Sequence, residues 1–128
     1  MAWLLVIDED QDEAAFIERI ARKQGYRTIA MPHERSLGSV LQTSPSPQWV
    51  VVSAGKQGEL AERRLEILEQ EGVDPRRVLL ITGARQAAGL GRTHASRFAD
   101  VLVRPLGLEP LEARIGRAFP GPGEARNG

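Results

Sequence analysis

Cysteine is absent from this chain, which excludes disulfides and thiolate metal sites. Histidine is nearly absent: His33 and His94 stand apart with no partner at metal-ligand spacing, and both read as surface residues. Lysine is as scarce, Lys23 and Lys56 being the only two, so almost all positive charge is arginine. Seventeen basic residues meet seventeen acidic ones. That balance leaves no excess charge to draw nucleic acid or an anionic membrane. No apolar run approaches the roughly 20 residues a membrane span needs, and Asp8 interrupts the apolar opening Met1 to Ile7 too early for a signal sequence. The absences together predict a soluble, cytoplasmic chain. Its 128 residues suit one domain, large enough to bury about two-thirds of its unfolded surface.

What is present is a set of short apolar runs. Trp3 to Ile7, Gln48 to Val52, Arg77 to Ile81 and Asp100 to Val103 are rich in Val, Leu and Ile without alternation. Such runs predict parallel strands covered on both faces. Arg27 to Met31 is less apolar and is predicted as an edge strand. Helical spacing lies between the runs. Phe16, Ile17, Ile20 and Ala21 form a stripe over Asp12 to Gln24, with Asp10 as cap, Glu13 in capping-box position and Gly25 as stop. A second clear helix covers Glu59 to Glu71, with Ala61, Leu65 and Leu68 inward and Gly72 ending it. A last one has Pro110 in its first turn and Leu111, Ile115 and Ala118 to pack. Glu34 to Gln42 and the Gly-containing Gln86 to Arg97 are weaker, since each helical glycine costs about 1 kcal/mol against alanine. The order βαβαβαβαβα implies an α/β sheet with right-handed crossovers. Residues 1–119 form the domain, and the Pro/Gly-rich 120–128 read as a linker or free tail.

In open parallel sheets, function collects at the carboxyl ends of the strands. Those ends carry Asp8-Glu9-Asp10, Ser53, Thr82-Gly83 and Arg104-Pro105. Enzyme motifs do not fit them. Ser53-Ala54-Gly55-Lys56 lacks phosphate-loop spacing, and Ser53 lacks the Gly-x-Ser-x-Gly elbow and an Asp/His pair in triad order. No enzyme is expected.

The four strand ends resemble, in order, those of bacterial two-component response-regulator receiver domains, over residues 3 to about 119. That family places an acidic pair after strand one, an aspartate after strand three, Thr or Ser after strand four and Lys-Pro after strand five. The resemblance implies a flavodoxin-like (βα)5 doubly wound sandwich, with a five-stranded parallel sheet in the order 2-1-3-4-5. It also implies a degenerate member. Asp8 and Glu9 match the acidic pair that holds Mg²⁺, a hard cation preferring octahedral oxygen ligands, but as a vestigial site with weak Mg²⁺ binding at most and no other cofactor. Ser53 stands at the phosphoacceptor position, and a serine hydroxyl forms no acyl phosphate. The loop Ala54 to Gly58 is shorter than the family's and lacks its Met-Pro. Thr82 keeps the switch hydroxyl. Arg104 replaces lysine with a planar fork of donors, while Pro105 is kept, in a peptide that is usually cis in the family. Val101 stands at the family's aromatic position. Arg104 is expected to lie across the pocket and pair with Asp8 or Glu9 in place of metal.

The implied function is a pseudo-receiver in signal transduction, acting by phosphorylation-independent protein–protein interaction. Its partner would be another protein or an output domain, or a second copy meeting the face of fourth helix, fifth strand and fifth helix. Leu90, Val101, Leu108 and Ile115 are the candidates for that face. The alternative is a receiver still switched by a small ligand, by residual metal binding or by phosphorylation of Ser53.

Overall fold

The computed structural model describes residues 2–43, 46–87 and 98–116. They comprise β1 (Trp3–Ile7), α1 (Gln11–Lys23), β2 (Arg27–Met31), α2 (Leu37–Thr43), β3 (Trp49–Ser53), α3 (Ala61–Gln70), a 3₁₀ turn (Pro75–Arg77), β4 (Val78–Thr82), β5 (Asp100–Val103) and α4 (Leu108–Ile115). The strands form one parallel sheet in the order β2-β1-β3-β4-β5. This is the flavodoxin-like arrangement expected from the resemblance, with β2 on an edge.

Alternation along each strand divides the core into two layers. Trp3, Leu5, Ile7, Val50, Val52 and Leu80 face the layer that α2 and α3 cover through Leu37, Leu65 and Leu68. Leu4, Val6, Trp49, Val51, Leu79 and Ile81 face the other, covered by Ile17 and Ile20 of α1 and by Leu111 and Ile115 of α4. Both faces of β1, β3 and β4 are therefore buried, which accounts for their unbroken apolar sequence. A fully buried Leu or Ile contributes about 1.5–3 kcal/mol, so these layers dominate stability. The tryptophans pack at the amino-end rim on opposite faces of the sheet.

Helix ends follow from local chemistry. The Asp10 side chain accepts the Glu13 N–H at 3.1 Å, as expected of a cap. After α1, Gly25 takes φ 90°, and the N–H groups of Gly25 and Tyr26 return to the carbonyls of Arg22 and Ala21. Glycine suits that left-handed turn, and the paired bonds use carbonyls the helix leaves orphaned. The expected helix over Glu34 to Gln42 starts only at Leu37, and Glu34, before it, accepts from Arg64 of α3.

Ile115, the last residue of α4, is fully buried against the sheet layer of α1, so its place among the interaction-face candidates is corrected: it belongs to the core. Val101 is partly buried against the α2/α3 layer. Leu108 remains on the surface at 45% exposure, joined there by Val103 at 43%. The helix expected over Gln86 to Arg97 begins earlier, residues 84–87 being helical. Its later part, with Leu90 and His94, lies outside the described residues, as do 117–128.

Candidate functional site

The carboxyl ends of β1, β3, β4 and β5 converge on Ser53, which is fully buried. Its hydroxyl donates to Glu9 Oε2 at 2.9 Å. It accepts from the Gly55 N–H at 3.1 Å and from Arg104 Nη2 at 2.7 Å. A hydroxyl offers one donor and two acceptor lone pairs. All three are in use. Gly55 makes this possible with φ 87°, and a Cβ there would stand 2.6 Å from the Glu59 carboxylate.

Arg104 lies across the pocket as expected, but its partner is neither Asp8 nor Glu9. Its Nε and Nη2 grip the Glu13 carboxylate at 2.9–3.2 Å, and Nη1 donates to the Gly55 carbonyl at 3.1 Å. The correction has a geometric reason. Glu13 lies one turn before Ile17 on the buried side of α1, so its carboxylate meets Arg104 just after β5, where a planar fork takes both oxygens at once. Glu13 therefore does not complete a capping box. The Asp10 N–H goes instead to Asp8 Oδ1 at 2.9 Å. The Arg104–Pro105 peptide is cis, and the Arg104 N–H is held by the Thr82 carbonyl at 2.9 Å.

A second guanidinium, Arg64 of α3, enters from the opposite face with only 2% of its surface exposed. Nη1 donates to Glu9 Oε1 at 3.0 Å and to the Ser53 carbonyl at 2.8 Å, and Nε donates to Glu34 Oε1 at 3.0 Å. Arg63 closes the other Glu34 oxygen at 3.1 Å. Sequence reasoning missed Arg64, Glu34 and the role of Glu13. Arg64 carried a signal: it sits between Ala61 and Leu65 on the inward stripe of α3, and a charge there must be paired to be buried. Glu34 carried none, since it lies in a loop.

The charges follow from these contacts. Burial works against ionisation of Glu9, but its own backbone N–H, the Ser53 hydroxyl and Arg64 together hold it below the usual glutamate range. Glu34 is likewise opposed by burial and held low by Arg64, its backbone N–H and Arg63. Asp8 goes the other way. Burial first, then a hydrogen bond to the Glu13 side chain and the negative charges of Glu13 and Glu9, push its pKa up to about 8. Asp8 Oδ2 meets no donor among the described residues, so a proton on Asp8, given to Glu13, satisfies it. Thr82 is brought to this end of the sheet but not into the network: its buried hydroxyl has no partner among the described residues.

These oxygens do not fit Mg²⁺, which needs near-octahedral oxygen ligation through free carboxylates. Both Glu9 oxygens and both Glu13 oxygens are already bound by Arg64, Ser53 and Arg104. Among the described residues no three acidic or histidine side chains are grouped to hold an ion. An open cleft of about 360 Å³ remains above, lined by Glu9, Asp10, Lys56, Gly83 and Arg104.

No family model matches the sequence, and no curated protein does. Solved structures do. The chain is similar to a response-regulator signal receiver domain from Bermanella marisrubri, with TM-score 0.72 and 24% identity over 90% of this chain and 96% of that one. It is similar to a response regulator from Thermotoga maritima, with TM-score 0.72 and 16% identity over 90% and 94%. A third likeness, with TM-score 0.64 and 16% identity over 88% and 90%, is to an atypical orphan response regulator described as revealing a phosphorylation-independent regulatory mechanism. The chain therefore has the response-regulator receiver fold. No described helix is long and apolar enough to cross a membrane.

Proposed function

We propose that this chain is a pseudo-receiver: a signalling module that works by phosphorylation-independent contact with a partner protein or output domain. The observation that carries the reading is the state of Ser53. At the strand end where the resemblance implies a phosphoacceptor aspartate stands a hydroxyl that is buried and has no free lone pair or proton. The same saturation argues against Ser53 as a target of phosphorylation, because a kinase would have to break three hydrogen bonds to reach it. The carboxylate that takes the Ser53 proton, Glu9, is itself tied to the buried Arg64, and the hydroxyl is held on all sides, which supports a binding module over an enzyme. The phosphorylation-independent mechanism of the atypical orphan neighbour supports the reading by analogy of fold. The exposed Val103 and Leu108, beside β5 and α4, mark the face through which contact, including self-association, is proposed.

Incubation with acetyl phosphate and Mg²⁺ is expected to leave the intact mass unchanged and the sedimentation profile identical before and after. Stoichiometric gain of one phosphoryl group, or a phosphodonor-dependent change in association, would overturn the proposal.

A further inference from the structure

We infer that Arg64 and Arg104 together occupy the electrostatic place of a divalent cation, so that this end of the sheet is assembled without metal, and that removal of Arg104 opens a latent cation site. The inference goes beyond the partner-binding reading and does not depend on it.

Glu9 and Glu13 come from the end of β1 and the first turn of α1, on either side of the protonated Asp8, and such a pair of carboxylates demands positive charge nearby. A metal ion would meet that demand from the cleft. Here it is met by two side chains from separate elements, one from each face of the sheet. Arg64 binds Glu9 at 3.0 Å and Arg104 binds Glu13 at 2.9 Å. Both are anchored a second time on the residue between them: Arg64 on the Ser53 carbonyl and Arg104 on the Ser53 hydroxyl. A planar guanidinium cannot become neutral under ordinary conditions, so the compensation is permanent. Arg64 is locked in by burial, whereas the Arg104 side chain keeps 24% of its surface exposed and lines the cleft. Arg104 is thus the removable half. Without it, both Glu13 oxygens lose their guanidinium partner beside Asp8, whose Oδ2 meets no donor among the described residues, and Glu13 lines an open cleft of about 490 Å³ that water and ions can enter.

Mn²⁺ is the probe, read by the electron paramagnetic resonance signal of the free ion, with thermal melting in Mg²⁺ as a second readout. The wild-type chain is expected to leave the free Mn²⁺ signal untouched at millimolar concentration, with no rise in melting temperature in Mg²⁺. Arg104→Met is expected to melt lower in EDTA, to take up Mn²⁺ stoichiometrically and to recover part of its stability in Mg²⁺, by mass action. Arg104→Gln drops the charge but keeps a donor for Glu13, and serves if the methionine variant does not fold. Metal uptake or metal stabilisation by the wild-type chain overturns the inference. So does a folded Arg104→Met or Arg104→Gln that ignores Mn²⁺.

Discussion

Arg64→Met is expected to lower stability by about 3–5 kcal/mol, the usual cost of removing one partner from a buried ion pair. The reason lies in what stays behind. Glu34 is left with its own backbone N–H and Arg63, itself 68% exposed at the side chain, and Glu9 with its own backbone N–H and the Ser53 hydroxyl. The Ser53 carbonyl also loses its Arg64 donor. For a domain of this size the loss corresponds to a fall in melting temperature of roughly 10–20 °C. Adding Glu34→Gln to Arg64→Met is expected to recover part of the loss, since it removes an uncompensated buried charge and such neighbours are not additive. Differential scanning calorimetry on the two variants checks both statements; a loss below about 1 kcal/mol for Arg64→Met would show the pair behaving as a surface ion pair, contrary to its burial.

The second large effect concerns pH. Asp8 has its pKa raised from 3.8 to about 8 in the folded chain, so between those values the folded state holds a proton that the unfolded chain has released. Stability therefore falls as pH rises from about 4 to about 8, and stays reduced above that. Glu9 and Glu34 have lowered values and act oppositely. Their contribution is present above the ordinary glutamate range and is lost as pH falls through their folded-state values. The combined expectation is a stability maximum in mildly acidic solution. Asp8→Asn keeps an oxygen for the Asp10 N–H and supplies a permanent donor to Glu13. It is expected to flatten the alkaline limb and to gain about 1–3 kcal/mol above pH 8, given that a tenfold change in proton affinity corresponds to about 1.4 kcal/mol. Denaturant titrations across that range measure it. An alkaline limb that declines as steeply in Asp8→Asn as in the wild-type chain would assign the decline to another group.

The fold was legible because its strands are buried on both faces. Trp3 to Ile7 and Val78 to Thr82 have no solvent face, so their sequences admit no alternation and no other reading. The edge strand Arg27–Met31 declared itself by its polar residues, all but Met31 being at least partly exposed. The site was half legible. Asp8, Glu9, Ser53 and Arg104 could be found because they follow strand ends, where function collects. Glu13 and Arg64 sit on helices: Glu13 reads as half of a capping box, and Arg64, though placed between Ala61 and Leu65 on the inward stripe, carries a charge that is read by default as solvated. Ile115 failed for the converse reason: an apolar residue on a terminal helix suits a core and an interface equally, and burial against Leu102 and Leu111 decides for the core.

The central claim is that the site is closed by its arginines and not merely emptied of its aspartate. Ser53→Asp tests it most directly. The new carboxylate would lie within reach of Arg104 and close to Glu9, the present contacts of the Ser53 hydroxyl, and would pair with the guanidinium without gaining a metal ion beside it. Intact mass after incubation of Ser53→Asp with acetyl phosphate and Mg²⁺ is expected to show no added phosphoryl group. Stoichiometric uptake by that single variant would mean that everything except the acceptor is still in working order, and would contradict the claim.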